Sequence, residues 1–330
     1  MANIKVLWID DEPNGGFIGF GAKNGLDITQ ALSVNKGKEL LQTKKWDAII
    51  LDVNCKIDGA QNEVASVSAF LEALLQLITI DIPYFVYTGG NYEGAEVLKH
   101  LPQKPYQNKK YFNKSNERDL LFDNIKKAVK DSPRYFARQR FADVCDFYQD
   151  DDLVDLLVKL DTSQIKTDVD VPTRVRYILS WVMKKLNSLC VLPIKANENV
   201  TNLAQCSRFL GYDKMQVIVP LHIQRNFHSS VSVANEGAHR NDEELSKVQT
   251  LLRNGDAPYL NSALIYELLS ILRWSSTLDP KDNAVRRKNT IKILKTYIDK
   301  EGLKCTRIEG AYAIFANKDG NEKEIELAYI

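Results

Sequence analysis

Charge of one sign is what this sequence most lacks. Its 330 residues carry 44 Lys and Arg against 43 Asp and Glu, a formal net charge of +1. The balance holds separately for residues 1–130 and 131–330, so neither part announces nucleic-acid binding. Cysteine is also scarce. The five cysteines, at positions 55, 145, 190, 206 and 305, are odd in number and include no Cys-x-x-Cys pair. That spacing carries no zinc or redox motif, and the cysteines read as reduced thiols in a reducing compartment. No apolar run approaches the ~20 residues that cross a bilayer. No charged leader with a long apolar stretch precedes the first strand. The expected location is therefore the cytoplasm, with no membrane partner. Repeats and low-complexity stretches are lacking too. The glycines at 16, 19, 21 and 25 do not fit Gly-x-Gly-x-x-Gly, and they follow an acidic pair that would repel a pyrophosphate.

What is present is ordinary globular text, 44% hydrophobic and 26% charged, in a chain long enough for two domains. Residues 1–130 alternate short apolar runs with helical patterns. Ile4–Ile9 ends at Asp10, Ala48–Leu51 at Asp52 and Tyr84–Tyr87 at Thr88. Tyr111-Phe112 stands just before Lys114, and a further strand lies near Leu26–Gln30. Near-continuous apolar runs suit a parallel sheet covered on both faces. Leu40 and Leu41 mark one helix, Val67 to Ile78 a second, and Leu120 to Val129 a third. The expected fold is an α/β, doubly wound, five-stranded parallel sheet. Glycine costs about 1 kcal/mol per helical position, so the glycine-rich segment 13–25 predicts a first helix that is shortened or missing.

A linker is expected around Asp131-Ser132-Pro133, separating a domain of residues 1–130 from one of residues 134–330. The second reads as mostly helical, with patterns near 134–148, 151–160, 173–190, 198–210, 213–235, 242–253, 257–277 and 282–300. A small antiparallel meander follows, with strands at Lys304–Ile308, Tyr312–Ala316 and Glu324–Ala328. It reads as a lid on the helical core or a dimer edge.

In a doubly wound sheet, ligands bind at the carboxyl ends of the strands. Those ends carry Asp10-Asp11, Asp52, Thr88 and Lys114. Converging carboxylates need a neutralising cation, and hard oxygen ligands favour Mg²⁺. A carboxylate beside Mg²⁺ is a competent nucleophile towards phosphorus. A hydroxyl and an ammonium group suit the charge spread over the transferring phosphoryl oxygens.

This set resembles the receiver domain of two-component response regulators. Val6-Leu7-Trp8-Ile9-Asp10-Asp11-Glu12-Pro13 is similar to the family's first strand and acidic pair. Trp46–Asp52 is similar to its third strand and phosphoacceptor, with Asp58-Gly59 following. Val86-Tyr87-Thr88-Gly89-Gly90 and Tyr111-Phe112-Asn113-Lys114-Ser115 are similar to its fourth and fifth strands. The resemblance implies Asp52 as phosphoacceptor and Mg²⁺ held by Asp10, Asp11, Asp52 and the backbone carbonyl of Asn54. It implies Thr88 and Lys114 on the phosphoryl oxygens, and Tyr111 as the switch aromatic. A histidine kinase or phosphotransfer protein would be the donor. Ser115 stands where the family usually has Pro, and the usual Met-Pro element after the phosphoacceptor is absent.

Residues 134–330 carry fewer signals. Arg286-Arg287-Lys288, with Lys292 and Lys295, form a basic stripe that reads as a solvated face. Asn235-Glu236-Gly237-Ala238-His239 resembles the Asn-x-x-Ala-His stretch of some helical HEPN-type domains, which implies a ribonuclease or nucleic-acid-binding output. The spacings of Arg225 to His228 and to His239 do not follow that group's catalytic pattern. His222, His228 and His239 are not spaced as metal ligands on one helical turn. The favoured expectation is an output that works by protein interaction or homodimerisation, with the ribonuclease as the alternative.

Overall fold

The computed structural model describes residues 4–58, 82–89, 109, 111–160, 162–196, 200–238 and 246–328. The chain divides into two compact units, Met1–Phe136 and Ala137–Ile330.

The first unit is built on five strands: β1 (Ile4–Ile9), β2 (Leu26–Ala31), β3 (Ala48–Leu51), β4 (Tyr84–Thr88) and β5 (Phe112–Asn113). All neighbours are parallel, in the order β2-β1-β3-β4-β5. This is the flavodoxin-like order. The helices are α1 (Gly15–Lys23), α2 (Val34–Thr43) and α3 (Arg118–Lys130). The expected helix over Val67–Ile78 falls outside the described residues.

The period-two alternation of the strands sorts the core onto two faces. Leu7, Ile9, Ile49, Leu51, Tyr84 and Val86 point to the side of α2. Val6, Trp8, Ile50, Phe85, Tyr87 and Phe112 point to the opposite side, with Phe17 of α1 and Leu121, Phe122 and Ile125 of α3. Both faces are buried, which is why the strands read as unbroken apolar runs rather than alternating ones.

The glycine-rich first helix is present, nine residues long. Propensity is overridden by packing. Phe17 sits 4.5 Å from Trp8, 5.2 Å from Tyr87 and 5.1 Å from Phe122, centroid to centroid. Asn14 caps the helix by accepting from the Phe17 N–H at 3.0 Å. Gly21 is required by proximity: a Cβ there would lie 2.4 Å from Ile28 Cδ1.

The second unit is helical: α4 (Pro133–Arg140, across the division), α5 (Ala142–Phe147), α6 (Asp151–Leu160), α7 (Val171–Ser188), α8 (Val200–Leu210), α9 (Leu221–Ala238), α10 (Lys247–Asn254), α11 (Leu260–Ser276) and α12 (Asn283–Leu294). α7, α9 and α11 pack on one another around one large apolar core. The helix expected over 213–235 is in fact two elements, a 3₁₀ turn at Asp213–Val217 and then α9. Pro220 lies between them, and proline disfavours helical backbone at the residue before it. No helix among the described residues is long and apolar enough to cross a membrane.

The chain returns to strand in β6 (Lys304–Glu309), β7 (Tyr312–Ala316) and β8 (Glu322–Glu326), an antiparallel meander. β8 begins two residues earlier than the sequence pattern suggests. Ala313, Phe315 and Ile325 turn one face of the meander into the helical core, so the meander covers that core. Leu327 also bridges to Ile194, between α7 and α8.

Candidate metal centre

Asp10 and Asp52 are delivered by neighbouring strands at the point where the strand order reverses, the usual crevice of such a sheet. The ladder extends one bond past each strand: the Asp10 N–H donates to Ala31 O and the Asp52 N–H to Ile9 O, both at 3.0 Å. Asp10 is fully buried and Asp52 nearly so. Asp11 is half-buried. One carboxylate oxygen from each of Asp10, Asp11 and Asp52 lies within 4.8 Å of the others, so the three are able to hold a metal ion.

Among the described residues, two ammonium groups face this cluster. Lys114 Nζ lies 2.6 Å from Asp10 Oδ2 and 3.4 Å from Asp52 Oδ2. Lys56 Nζ lies 3.4 Å from Asp11 Oδ2. Among the described residues, three carboxylates against two ammonium groups leave a net negative charge in a largely buried place. Burial pushes the Asp10 carboxyl up to about 6, against the pull of Lys114. Burial also raises Asp52, again opposed by Lys114. Burial by itself would lower Lys114, but its hydrogen bond to Asp10 and the charge of Asp52 outweigh that and hold it above the usual lysine value. Cys55, buried beside the three carboxylates, is raised to about 12 and is an inert thiol.

Thr88 ends β4 with its side chain fully buried. Its hydroxyl is near enough to Asp52 to favour the ionised carboxylate. Yet among the described residues neither Thr88 Oγ1 nor Asp52 Oδ1 has a well-formed hydrogen bond. Buried polar atoms left in this way are uncommon and call for a ligand or ion. This is also the observation that fits a cation to the site: three hard oxygen donors, a residual negative charge and an orphaned carboxylate oxygen.

The lysine is held by its backbone. The Lys114 N–H donates to Thr88 O at 2.9 Å and Tyr87 Oη donates to Lys114 O at 3.3 Å. Asn113 Oδ1 accepts from the Ser115 N–H at 2.9 Å. Ser115, where a proline resemblance would be satisfied without an N–H, thus contributes a bond of its own. Asn54 lies exposed in the turn after β3. Tyr111 is half-buried against the apolar cluster on the α2 face. Asp58 is exposed and its carboxylate accepts from Asn35 Nδ2; Gly59 lies outside the described residues.

Three participants had no legible signal in the sequence. Lys56 sits in an irregular turn. Tyr87 reads as one more apolar strand residue. Gln30, at the end of β2, donates through Nε2 to Asp10 O at 2.9 Å and Glu12 O at 2.8 Å. It thereby clamps the acidic loop.

Among the described residues, the other candidates do not assemble into a site. His222 and His228 are exposed on α9, with Arg225 also exposed; His239 and Asn241 lie outside the described residues. The basic stripe on α12 loses Arg286, which turns inward. Its Nε donates to Leu189 O at 2.8 Å and its Nη2 to Asn283 Oδ1 at 2.6 Å. It fastens α12 to the C-terminal turn of α7, so the stripe is not one continuous solvated face.

The chain matches no protein-family model and no curated protein. The site's geometry therefore stands on its own.

Proposed function

We propose that the protein is a two-component response regulator whose Asp52 accepts a phosphoryl group. The observation that carries this reading is the buried Asp52 Oδ1, which makes no well-formed hydrogen bond among the described residues. It stands beside the Thr88 hydroxyl and within a side chain's width of Lys114 Nζ, 3.4 Å from Asp52 Oδ2. A nucleophilic oxygen, a hydroxyl donor and an ammonium group are the parts phosphoryl transfer needs.

Asp10, Asp11 and Asp52, with the backbone carbonyl of Asn54, would hold Mg²⁺. Bound there, Mg²⁺ supplies charge neutralisation for the carboxylates and the incoming phosphoryl oxygens. Asp52 attacks phosphorus, the bond from phosphorus to the donor nitrogen or oxygen breaks, and its electron pair leaves with the donor. Lys114 and Thr88 bind the transferred oxygens. Thr88 moves towards them, and Tyr111 follows into the space that opens near β5. The donor is a histidine kinase or a phosphotransfer protein, and the helical unit carries an output through protein interaction or self-association. The location consistent with this is the cytoplasm.

Incubation with acetyl phosphate and Mg²⁺ tests the reading by intact mass. The wild type should gain one phosphoryl group, labile to hydroxylamine as an acyl phosphate. Asp52→Asn should gain none, and EDTA should abolish the reaction. A wild type that stays unmodified, or an Asp52→Asn variant modified equally, overturns it.

A further inference from the structure

A second recess, unrelated to the acidic site, opens in the helical unit. α5 ends at Phe147, Tyr148 follows it, and both rings stand against Trp181 of α7. The Phe147 and Trp181 centroids are 5.4 Å apart with planes at 85°, and the Tyr148 and Trp181 centroids are 4.8 Å apart at 83°. Two rings are thus nearly perpendicular to the indole. Phe147, Tyr148, Gln149, Asp150 and Trp181 line a recess of about 330 Å³. Tyr148 is buried while Phe147 and Trp181 remain half-buried, so the aromatic surface is not all consumed by the core.

The polar side of the recess is acidic. Asp150 is exposed, and one of its oxygens caps α6 by accepting from the Asp152 N–H at 2.8 Å. Asp152 is exposed as well. Burial, and then the charges of Asp150 and Asp152, push the Tyr148 hydroxyl well above its ordinary range. Asp151 differs: Arg138 holds it in an ion pair. None of the five lining residues is cationic.

Ring faces carry negative electrostatic potential and attract cations that shed water easily. A hydrated metal ion would find Asp150 as the one carboxylate lining the recess, too few ligands for a hard cation. A neutral apolar ligand would gain nothing from Asp150. We propose that this recess binds an organic cation, a quaternary ammonium or guanidinium head group, set against the accessible aromatic surface of Phe147 and Trp181 and neutralised by Asp150. The head group belongs either to a free small molecule or to a basic side chain of a protein partner. This site does not depend on the chemistry of Asp52.

The test titrates the full-length protein at constant ionic strength with choline and with its uncharged isostere, 3,3-dimethyl-1-butanol. The readout is the Trp181 indole N–H resonance, assigned through Trp181→Phe. Choline should shift it saturably, and the alcohol should bind roughly tenfold or more weakly, as the cation–π and charge contributions require. Asp150→Asn preserves an acceptor for the Asp152 N–H while removing the charge, and should weaken choline about three- to tenfold. Parallel titrations with the blocked amides of trimethyllysine and arginine identify the source: tighter binding of either amide marks a protein side chain, tighter binding of choline a free ligand. Equal affinity for choline and the alcohol overturns the proposal. So does the lack of a saturable shift with any of the three cations up to about 50 mM, or an Asp150→Asn variant with unchanged affinity for choline.

Discussion

At the scale of single residues, Asp10 carries a strong and testable electrostatic burden. Its carboxyl is raised by burial to about 6 from its ordinary value of 3.8. Between those values the native chain holds a proton that the unfolded chain has released. Stability from this group is therefore highest at the acid end of the window and is lost as pH rises through it. Asp52 shifts in the same direction. In EDTA, the urea midpoint of the N-terminal unit should be higher at pH 5 than at pH 7. Adding Mg²⁺ at pH 7 should recover much of the difference, because a cation replaces the missing proton. A midpoint indifferent to pH across that range would contradict the burial of an ionisable Asp10.

Lys56 sets the second residue-scale prediction. Its ammonium group, 3.4 Å from Asp11 Oδ2, competes with any divalent ion for the same carboxylate. Lys56→Met keeps the length of the side chain and removes the charge. Calorimetric titration should show Mg²⁺ binding tightened about three- to tenfold, with a smaller effect at high salt because the pair is partly exposed. Unchanged or weaker binding would assign Lys56 a merely structural place.

At the scale of elements, α1 separates two roles that glycine plays. Gly21→Ala would press a methyl group into Ile28, 2.4 Å from its Cδ1, and should cost about 1–3 kcal/mol through overpacking. Gly19 is exposed, and a Cβ there meets nothing within 4 Å. Gly19→Ala should therefore stabilise by about 0.5–1 kcal/mol through helix propensity. Chemical denaturation of the two variants, with opposite signs expected, checks both.

The same helix shows where sequence reading reached and where it stopped. The strand ends that carry Asp10, Asp52, Thr88 and Lys114 were legible because short apolar runs mark buried parallel strands and polar residues mark their ends. α1 was expected to be shortened or missing; at nine residues it is the shortest of the three described helices of its unit but not missing, because propensity counts residues one at a time, whereas Phe17 is fixed by three rings from other elements. The segment before α9 was misread because apolar spacing continues across Pro220 while the backbone does not. Arg286 looked like surface because its charge is visible in sequence and its carbonyl partners on Leu189 and Asp279 are not. Lys56 and Gln30 act on the acidic site through tertiary contacts that no local pattern encodes.

At the scale of the whole molecule, the two units have separate cores, one on the two faces of the sheet and one among the helices. Scanning calorimetry should resolve two transitions. Mg²⁺ should raise the midpoint of the N-terminal unit and leave the other in place, since a ligand stabilises the unit that binds it. A single transition that moves as one would show that the units melt cooperatively.

The seam between β8 and the segment following α7 bears on how the helical unit is made. The Lys195 N–H donates to Glu326 O at 2.9 Å and the Ala328 N–H to Pro193 O at 2.6 Å. The Lys195 and Glu326 side chains pair across 131 positions of sequence. Closing so long a loop is slow compared with forming local helices. During synthesis the helices emerge first, and the cavity that Phe315 and Ile325 will fill stays open until the meander has left the ribosome. For that interval a nascent chain presents its apolar interior to chaperones, and a translation stall shortly before β7 would leave it there.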